Sequence, residues 1–258
     1  MANLYANKLM GNEETLHTLI IDEYQDIKPE IIEIFRLIST NTLLTGDEAQ
    51  KENPDGTGSW KNLINKEYFF KEDQINLFTL NHNFRQTYEL GNLSFNYRQL
   101  ILGNSIKDIK TEYFENQIGF NRPSIQISKS INDFFSLLKT KLDYIENSFV
   151  QEFPLVIIYD SDVALNKYKS ILDKNEITYD IDKSSQNKQV VLIHFNLVAG
   201  QEFPVVLFNY NPELPANTLY VMMSRAQFDL SIMTDSLDTC DSNVKKLINE
   251  NIILHNYL

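Results

Sequence analysis

An apolar run that stops at two adjacent carboxylates is the first pattern here that could do chemistry: Leu19-Ile20-Ile21-Asp22-Glu23-Tyr24-Gln25-Asp26. A strand ending this way holds two acids side by side at its tip. The first can hold Mg2+ through water, because that ion prefers oxygen ligands and keeps several waters. The second can position and deprotonate an attacking water. Such a pair suits hydrolysis of a nucleoside triphosphate, although alone it is as often a solvated turn. Further on, Leu43-Leu44-Thr45-Gly46-Asp47-Glu48-Ala49-Gln50 repeats the logic of a strand with a polar tip. In Leu80-Asn81-His82-Asn83-Phe84-Arg85-Gln86 a strand leads into a helix that opens with an arginine. Far downstream, Gly200-Gln201-Glu202-Phe203 lies between two strands. Last comes Leu219-Tyr220-Val221-Met222-Met223-Ser224-Arg225-Ala226, just before a strand. Arginine suits phosphoryl transfer, because a fork-shaped guanidinium puts positive charge where negative charge develops.

Short apolar runs alternating with helical periodicity must position these residues, which is the pattern of an α/β protein with mainly parallel sheets. Strands are expected at Leu16–Ile21, Thr42–Thr45, Ile75–Leu80, Leu155–Tyr159, Ile177–Ile181, Val190–Phe195, Val205–Tyr210 and Leu230–Thr234. A helix begins near Pro29, which fits a first helical turn. Further helices are expected at Phe84–Leu102, Ile131–Tyr144, Ser161–Lys174, Pro215–Ala226 and Val244–Glu250. Lys51–Ser59, with Pro54, Gly56 and Gly58, reads as a loop. The pattern weakens between Gly103 and Pro123, so the domain boundary is placed there: residues 1–105 as a first lobe and 106–258 as a second.

In order and spacing these elements resemble motifs II to VI of superfamily 1 DNA helicases of the UvrD/Rep type. The likeness runs from about residue 16 to residue 235 and rests on the DExQD stretch together with the late YVxxSRA stretch. The resemblance implies P-loop NTPase (RecA-like) lobes that use ATP and Mg2+ and move on single-stranded DNA. It implies that Asp22 coordinates Mg2+, that Glu23 acts on the water, and that Gln25 and Asp26 tie the ATP site to its surroundings. Gln50 matches the γ-phosphate sensor and Phe84 the aromatic that stacks on adenine. Arg85 and Arg225 match the two arginines at the γ-phosphate, and Gly200 and Glu202 fall in the stretch near the ribose.

Three departures qualify the likeness. No Gly-x-x-x-x-Gly-Lys-Ser/Thr occurs, so the phosphate loop (Walker A), its lysine and its hydroxyl ligand to Mg2+ are not in this sequence. The first RecA-like lobe is therefore expected to be incomplete, with altered strand pairing or an edge that docks on a partner. The chain then reads as a portion of a longer helicase, as one subunit of a split enzyme whose loop another chain supplies, or as a degenerate relative. Second, the family's fifth motif, Thr-x-His-x-x-Lys/Ser-Gly-x-Glu, has His194, Asn196 and Ala199 at its Thr, His and Lys/Ser positions. Asn196 is the candidate nucleic-acid contact there. Trp60, the one tryptophan, is either a stacking platform for an unpaired base, worth roughly 1–3 kcal/mol, or a packing residue. Third, the space between Arg85 and Gly200 holds a second lobe and no strand-separating insertion.

Composition bounds the rest. Of 258 residues 43% are hydrophobic, enough to bury a core. The net charge of −12 argues against coating nucleic acid by bulk charge and permits only a local groove. One cysteine, Cys240, excludes an internal disulfide. No apolar run is long enough to span a membrane, and Met1–Gly11 lacks a signal pattern, so a cytoplasmic protein is expected. His17, His82, His194 and His255 show no metal-ligand spacing. Two functions stay open: the motif II–VI portion of an ATP-dependent DNA helicase or translocase, inactive without a phosphate loop, or a helicase-like module that binds a protein or nucleic-acid partner without ATPase activity.

Overall fold

A computed structural model describes residues 16–64, 76–80, 82–107, 114–116, 122–127, 131–147, 153–182 and 188–257. The chain forms two units, Met1–Leu80 and Asn81–Leu258.

In the first unit, β1 (Leu16–Ile21) and β2 (Ser39–Leu44) pair in parallel, with Ile20 opposite Leu43 and Ile21 opposite Leu44. The crossover is α1 (Pro29–Leu37), which starts on Pro29, where a missing N–H costs nothing. Its Ile32 is fully buried and packs with Ile21, Tyr24 and Leu63, the last from the short helix α2 (Lys61–Ile64). Trp60 packs against the same cluster, which gives it a core contact. The opposite face is open: Ile20 is 64% exposed and Leu43 48%. Parallel strands normally have both faces covered. Among the described residues this sheet has two strands.

The loop after α1 and β2 folds back on the tip of β1. Thr57 N and its hydroxyl both donate to Ile27 O, and Gly58 N donates to Gln25 O. Gly56 sits so close that a Cβ there would meet Gln25 O and lie 2.8 Å from Asp26 Cα. Backbone atoms cannot swing aside. Gly56→Ala is therefore expected to destabilise the first unit by about 1–3 kcal/mol, read as a lowered thermal midpoint. An unchanged midpoint would show that the loop is not pressed onto β1.

The second unit opens with β3 (Asn83–Thr87), paired in parallel with β4 (Phe114–Asn116). Its main sheet has seven strands: β5 (Ser124–Ile127), β6 (Leu155–Tyr159), β7 (Tyr179–Ile181), β8 (Val190–His194), β9 (Phe203–Asn209), β10 (Ala226–Thr234) and β11 (Leu254–Tyr257). The order is β11-β5-β10-β9-β6-β8-β7 and every pair is parallel. The fold is thus α/β with parallel sheets, as expected. The central strands are continuous apolar runs because both faces are covered. Phe134 and Leu138 of α4 (Ile131–Glu146) and Tyr168 and Leu172 of α5 (Asp162–Lys174) belong to the same buried cluster as Leu155, Ile157, Leu192 and Leu207. Ser161 caps α5 by accepting from Ala164 N. A buried ion pair ties α4 to β10: Lys141 Nζ lies 2.7 and 2.8 Å from the two oxygens of Asp229.

The remaining helices are α3 (Tyr88–Ile101), α6 (Ala216–Ser224) and α7 (Ser242–Asn249). α3 packs against α6 and α7. Residues 83–101 thus belong to the second unit, whereas the sequence pattern had grouped them with the first lobe. Two local expectations are corrected. The helix expected from Phe84 begins only at Tyr88, because residues 83–87 are drawn into a strand by pairing with β4. Asn76–Leu80, expected in a strand with Ile75, lie outside any helix or strand, and Leu77, Phe78 and Leu80 are exposed. Ile75 lies outside the described residues. An apolar run becomes a strand only where a neighbour pairs with it. Among the described residues no helix is long and apolar enough to cross a membrane.

Tyrosine hydroxyls hold the periphery of the seven-stranded sheet. Tyr97 and Tyr210 donate to Asp241 Oδ2 at 3.3 and 3.0 Å, while Asp241 Oδ1 accepts from Asn243 N and Val244 N and so caps α7. Burial, with the Asp241 charge behind it, holds both phenols well above their ordinary value of 10.0. Burial also raises Tyr168 and, with Asp182 beside it, pushes Tyr159 up to about 12. A raised folded pKa favours the protonated form, so this stability is fully present below about pH 10 and is lost as pH rises through the folded values. The chain is expected to hold its thermal midpoint up to about pH 10. Above that, the midpoint falls and tyrosinate absorbance rises together with unfolding. Ionisation of Tyr97, Tyr168 or Tyr210 at pH 10 in the folded chain, read from the NMR shift of its ring carbons, would contradict this.

Candidate functional site

Parallel pairing of β1 and β2 brings two motif tips together in the first unit. Asp22 follows β1 directly, and its Oδ1 accepts from Glu23 N at 3.0 Å and from the Thr45 hydroxyl at the end of β2. Glu23 sits at φ 52°, in the left-handed region that an L-residue enters at a cost. That turn aims its carboxylate back over the chain, where Glu23 Oε2 accepts from Gln25 Nε2 at 2.6 Å. Gln25 is 1% exposed, and its Oε1 accepts from Asp47 N at 3.1 Å. One buried amide therefore links the acid pair to the second motif. Asp47 Oδ2 in turn accepts from Gln50 Nε2 at 3.3 Å. Asp26 turns the other way: its Oδ1 accepts from Glu52 N and Asn53 N, both at 2.7 Å, and fixes the loop. Asp22 and Glu23 are both exposed at the strand tip. A hard carboxylate at an open tip is the kind of donor Mg2+ takes alongside waters and phosphate oxygens.

Three distant stretches meet in the second unit. Arg85, on β3, is ion-paired through Nε to Glu202 Oε1. Glu202 Oε2 accepts from Gln227 Nε2 at 2.9 Å. Next to Arg85 in sequence, Gln86 is 3% exposed and donates to Ala226 O at 2.9 Å. Arg225 caps the C-terminal end of α6 and is 2% exposed. Its Nε donates to Val221 O at 3.0 Å, its Nη1 to Gln201 O at 3.3 Å and its Nη2 to Ser224 Oγ at 2.9 Å. Two arginines and one acid from residues 85, 202 and 225 thus share one neighbourhood. Phe84 is 66% exposed beside Arg85, with the His82 ring 4.3 Å from its own. That is an open aromatic face next to a cation.

The other candidates lie apart from this network. Gly200 adopts φ 73° in the turn before β9, with open space where a Cβ would point. Asn196 is exposed in the 3-10 turn after β8, where its N–H donates to His194 Nδ1 at 3.3 Å. Trp60 is half-buried and packs against the first unit's core. Thr45, Gln86 and Gln227 are site members that the motif reading did not single out. Amides and hydroxyls carry no spacing signal of their own; for Gln86 and Gln227 the only hint was adjacency to an arginine motif.

No family model matches the sequence, and no curated protein matches it either. Among solved structures, the chain is similar to a crystal structure described as the C-terminal domain of a possible DNA helicase from Lactobacillus plantarum WCFS1. The TM-score is 0.49 at 15% identity, over 67% of this chain and 99% of that one.

Proposed function

We propose that the chain is the motif II–VI portion of an ATP-dependent superfamily 1 DNA helicase or translocase, with RecA-like lobes. Asp22 holds Mg2+, Glu23 orients and deprotonates water, and Gln50 senses the γ-phosphate. Phe84 stacks on adenine, Arg85 and Arg225 neutralise charge on the γ-phosphate, and Glu202 with the Gly200 turn receives the ribose. The observation that carries this reading is the gathering of Arg85, Glu202 and Arg225, from three separate stretches, in one unit. Two arginines and an acid beside an exposed aromatic are the groups that a nucleoside triphosphate calls for. The strained Glu23 backbone beside Asp22 supports the same chemistry, since such strain gathers at functional sites.

Hydrolysis in this reading depends on a phosphate loop that these 258 residues do not contain. A partner chain or further segment supplies it, and the exposed Ile20 and Leu43 face of β1 and β2 is where its strands and helices would pack. Single-stranded DNA is the track, met at Asn196, in a cytoplasmic setting where ATP is supplied. The test is ATP hydrolysis by the full chain, alone and with a loop-bearing helicase segment and single-stranded DNA. Turnover is expected only with the loop present, and rises with DNA. If the added segment restores none, the enzymatic reading fails.

One observation favours a second reading, a binding module without ATPase activity. Arg225 is buried, and its guanidinium is already spent on Val221 O, Gln201 O and Ser224 Oγ. A phosphate reaches it only after that side chain turns out. Absence of nucleotide binding together with retained binding of single-stranded DNA would select this reading.

A further inference from the structure

The two arginine-bearing stretches are joined by one buried side chain. Gln86 Nε2 donates to Ala226 O at 2.9 Å and more weakly to Ser224 O at 3.4 Å, and those two carbonyls flank Arg225 in the chain. Gln86 Oε1 accepts from Asn83 Nδ2 at 3.2 Å. Asn83 Oδ1 accepts from Arg85 N at 2.9 Å and from Gln86 N at 3.0 Å. The backbone around Arg85 is thus tied to the backbone around Arg225 through one amide whose nitrogen and oxygen are both bonded. Its strand geometry suits the task. β3 passes from exposed Phe84 and Arg85 to buried Gln86 and Thr87, so Gln86 turns in while Arg85 stays exposed. The second tie, from Arg85 through Glu202 to Gln227, is partly exposed, so water competes with it. Gln86 is a tie that water does not reach.

We propose that Gln86 is a positioning residue that fixes the spacing of Arg85 and Arg225, so that the two guanidiniums engage one polyphosphate as a pair. The inference rests on the nucleotide reading above and adds a residue to it. Its physical content is pre-organisation. Two arginines whose backbones are already held at a set separation lose less freedom when their side chains close around one anion than two on independently moving segments. A buried amide with its bonds made is stiff, since each bond it gave up would leave a carbonyl without its donor.

The experiment is a pair of double-mutant cycles read by titration calorimetry of inorganic tripolyphosphate into the full chain. Wild type, Arg85→Ala, Arg225→Ala and the double substitution form the first cycle; the same four in a Gln86→Met background form the second. Methionine keeps the volume and drops the bonds. In the first cycle the double substitution is expected to depart from the product of the single losses by at least about threefold. In the second cycle that departure vanishes and the losses simply multiply, while circular dichroism stays that of the folded chain. A loss of packing alone would lower stability without touching the coupling. If Gln86→Met does not fold, Asn83→Ala, which frees the Gln86 oxygen, takes its place and is expected to reduce the coupling. Coupling that persists undiminished overturns the role of Gln86 and leaves the nucleotide reading standing. A wild-type chain that binds no tripolyphosphate, or whose affinity ignores Arg85→Ala, overturns both.

Discussion

Lys141→Met is expected to cost the second unit about 3–5 kcal/mol, a fall in midpoint of roughly 6–20 °C for a unit of this size. Asp229 is 1% exposed and has Lys141 Nζ within 2.7 and 2.8 Å of its oxygens. Removing the ammonium takes away the charge that made burying the carboxylate tolerable. The effect lies in the broken pair rather than in the lysine stem, whose length methionine nearly matches. A Lys141→Met, Asp229→Leu double substitution is therefore expected to recover most of the loss, since apolar replacement of a whole buried pair is often neutral. Thermal unfolding of the wild type, Lys141→Met, Asp229→Leu and the double substitution measures this. A single substitution that melts with the wild type would mean that Asp229 is held by other partners.

Glu23→Gln is expected to abolish ATP turnover restored by a loop-bearing segment, a loss of about 10²–10⁴-fold. The substitution is nearly isosteric, and its amide oxygen can still accept from Gln25 Nε2, so the link to Asp47 survives. What goes is the carboxylate that takes the proton in the proposed reaction. Nucleotide affinity is expected to stay close to wild type, because in that proposal Glu23 acts on the water and not on the phosphates. A loss of affinity with unchanged turnover would move Glu23 from the base to the binding surface.

Both results bear on how much of this molecule its sequence makes legible. The central strands β6 and β8 stand out because they are continuous apolar runs, and α5 because Ser161 caps an amphipathic repeat. β5 and β11 do not: Ser124-Ile-Gln-Ile and Leu254-His-Asn-Tyr are short and polar, and only pairing with each other and with β10 makes them strands. The same tertiary pairing turns residues 83–87 from an expected helix start into β3. The site divides in the same way. Asp22, Glu23, Arg85, Glu202 and Arg225 stand out in the sequence because they are charged residues set at or near the ends of apolar runs. Gln86 and Gln227 are invisible there, because an amide is useful only for where its neighbours lie. The Lys141–Asp229 pair is equally silent, since nothing local links residues on α4 and β10.

The central claim is that an adenine nucleotide binds through Phe84, Arg85 and Arg225. The most direct test is photolabelling of the full chain with an azido-adenine analogue of ATP, followed by peptide mapping. The account predicts saturable labelling on the peptide that carries Phe84. ATP and tripolyphosphate should compete it away, and the Arg85→Ala, Arg225→Ala double substitution should abolish it. Labelling that does not saturate, falls elsewhere, or ignores both arginines would contradict it.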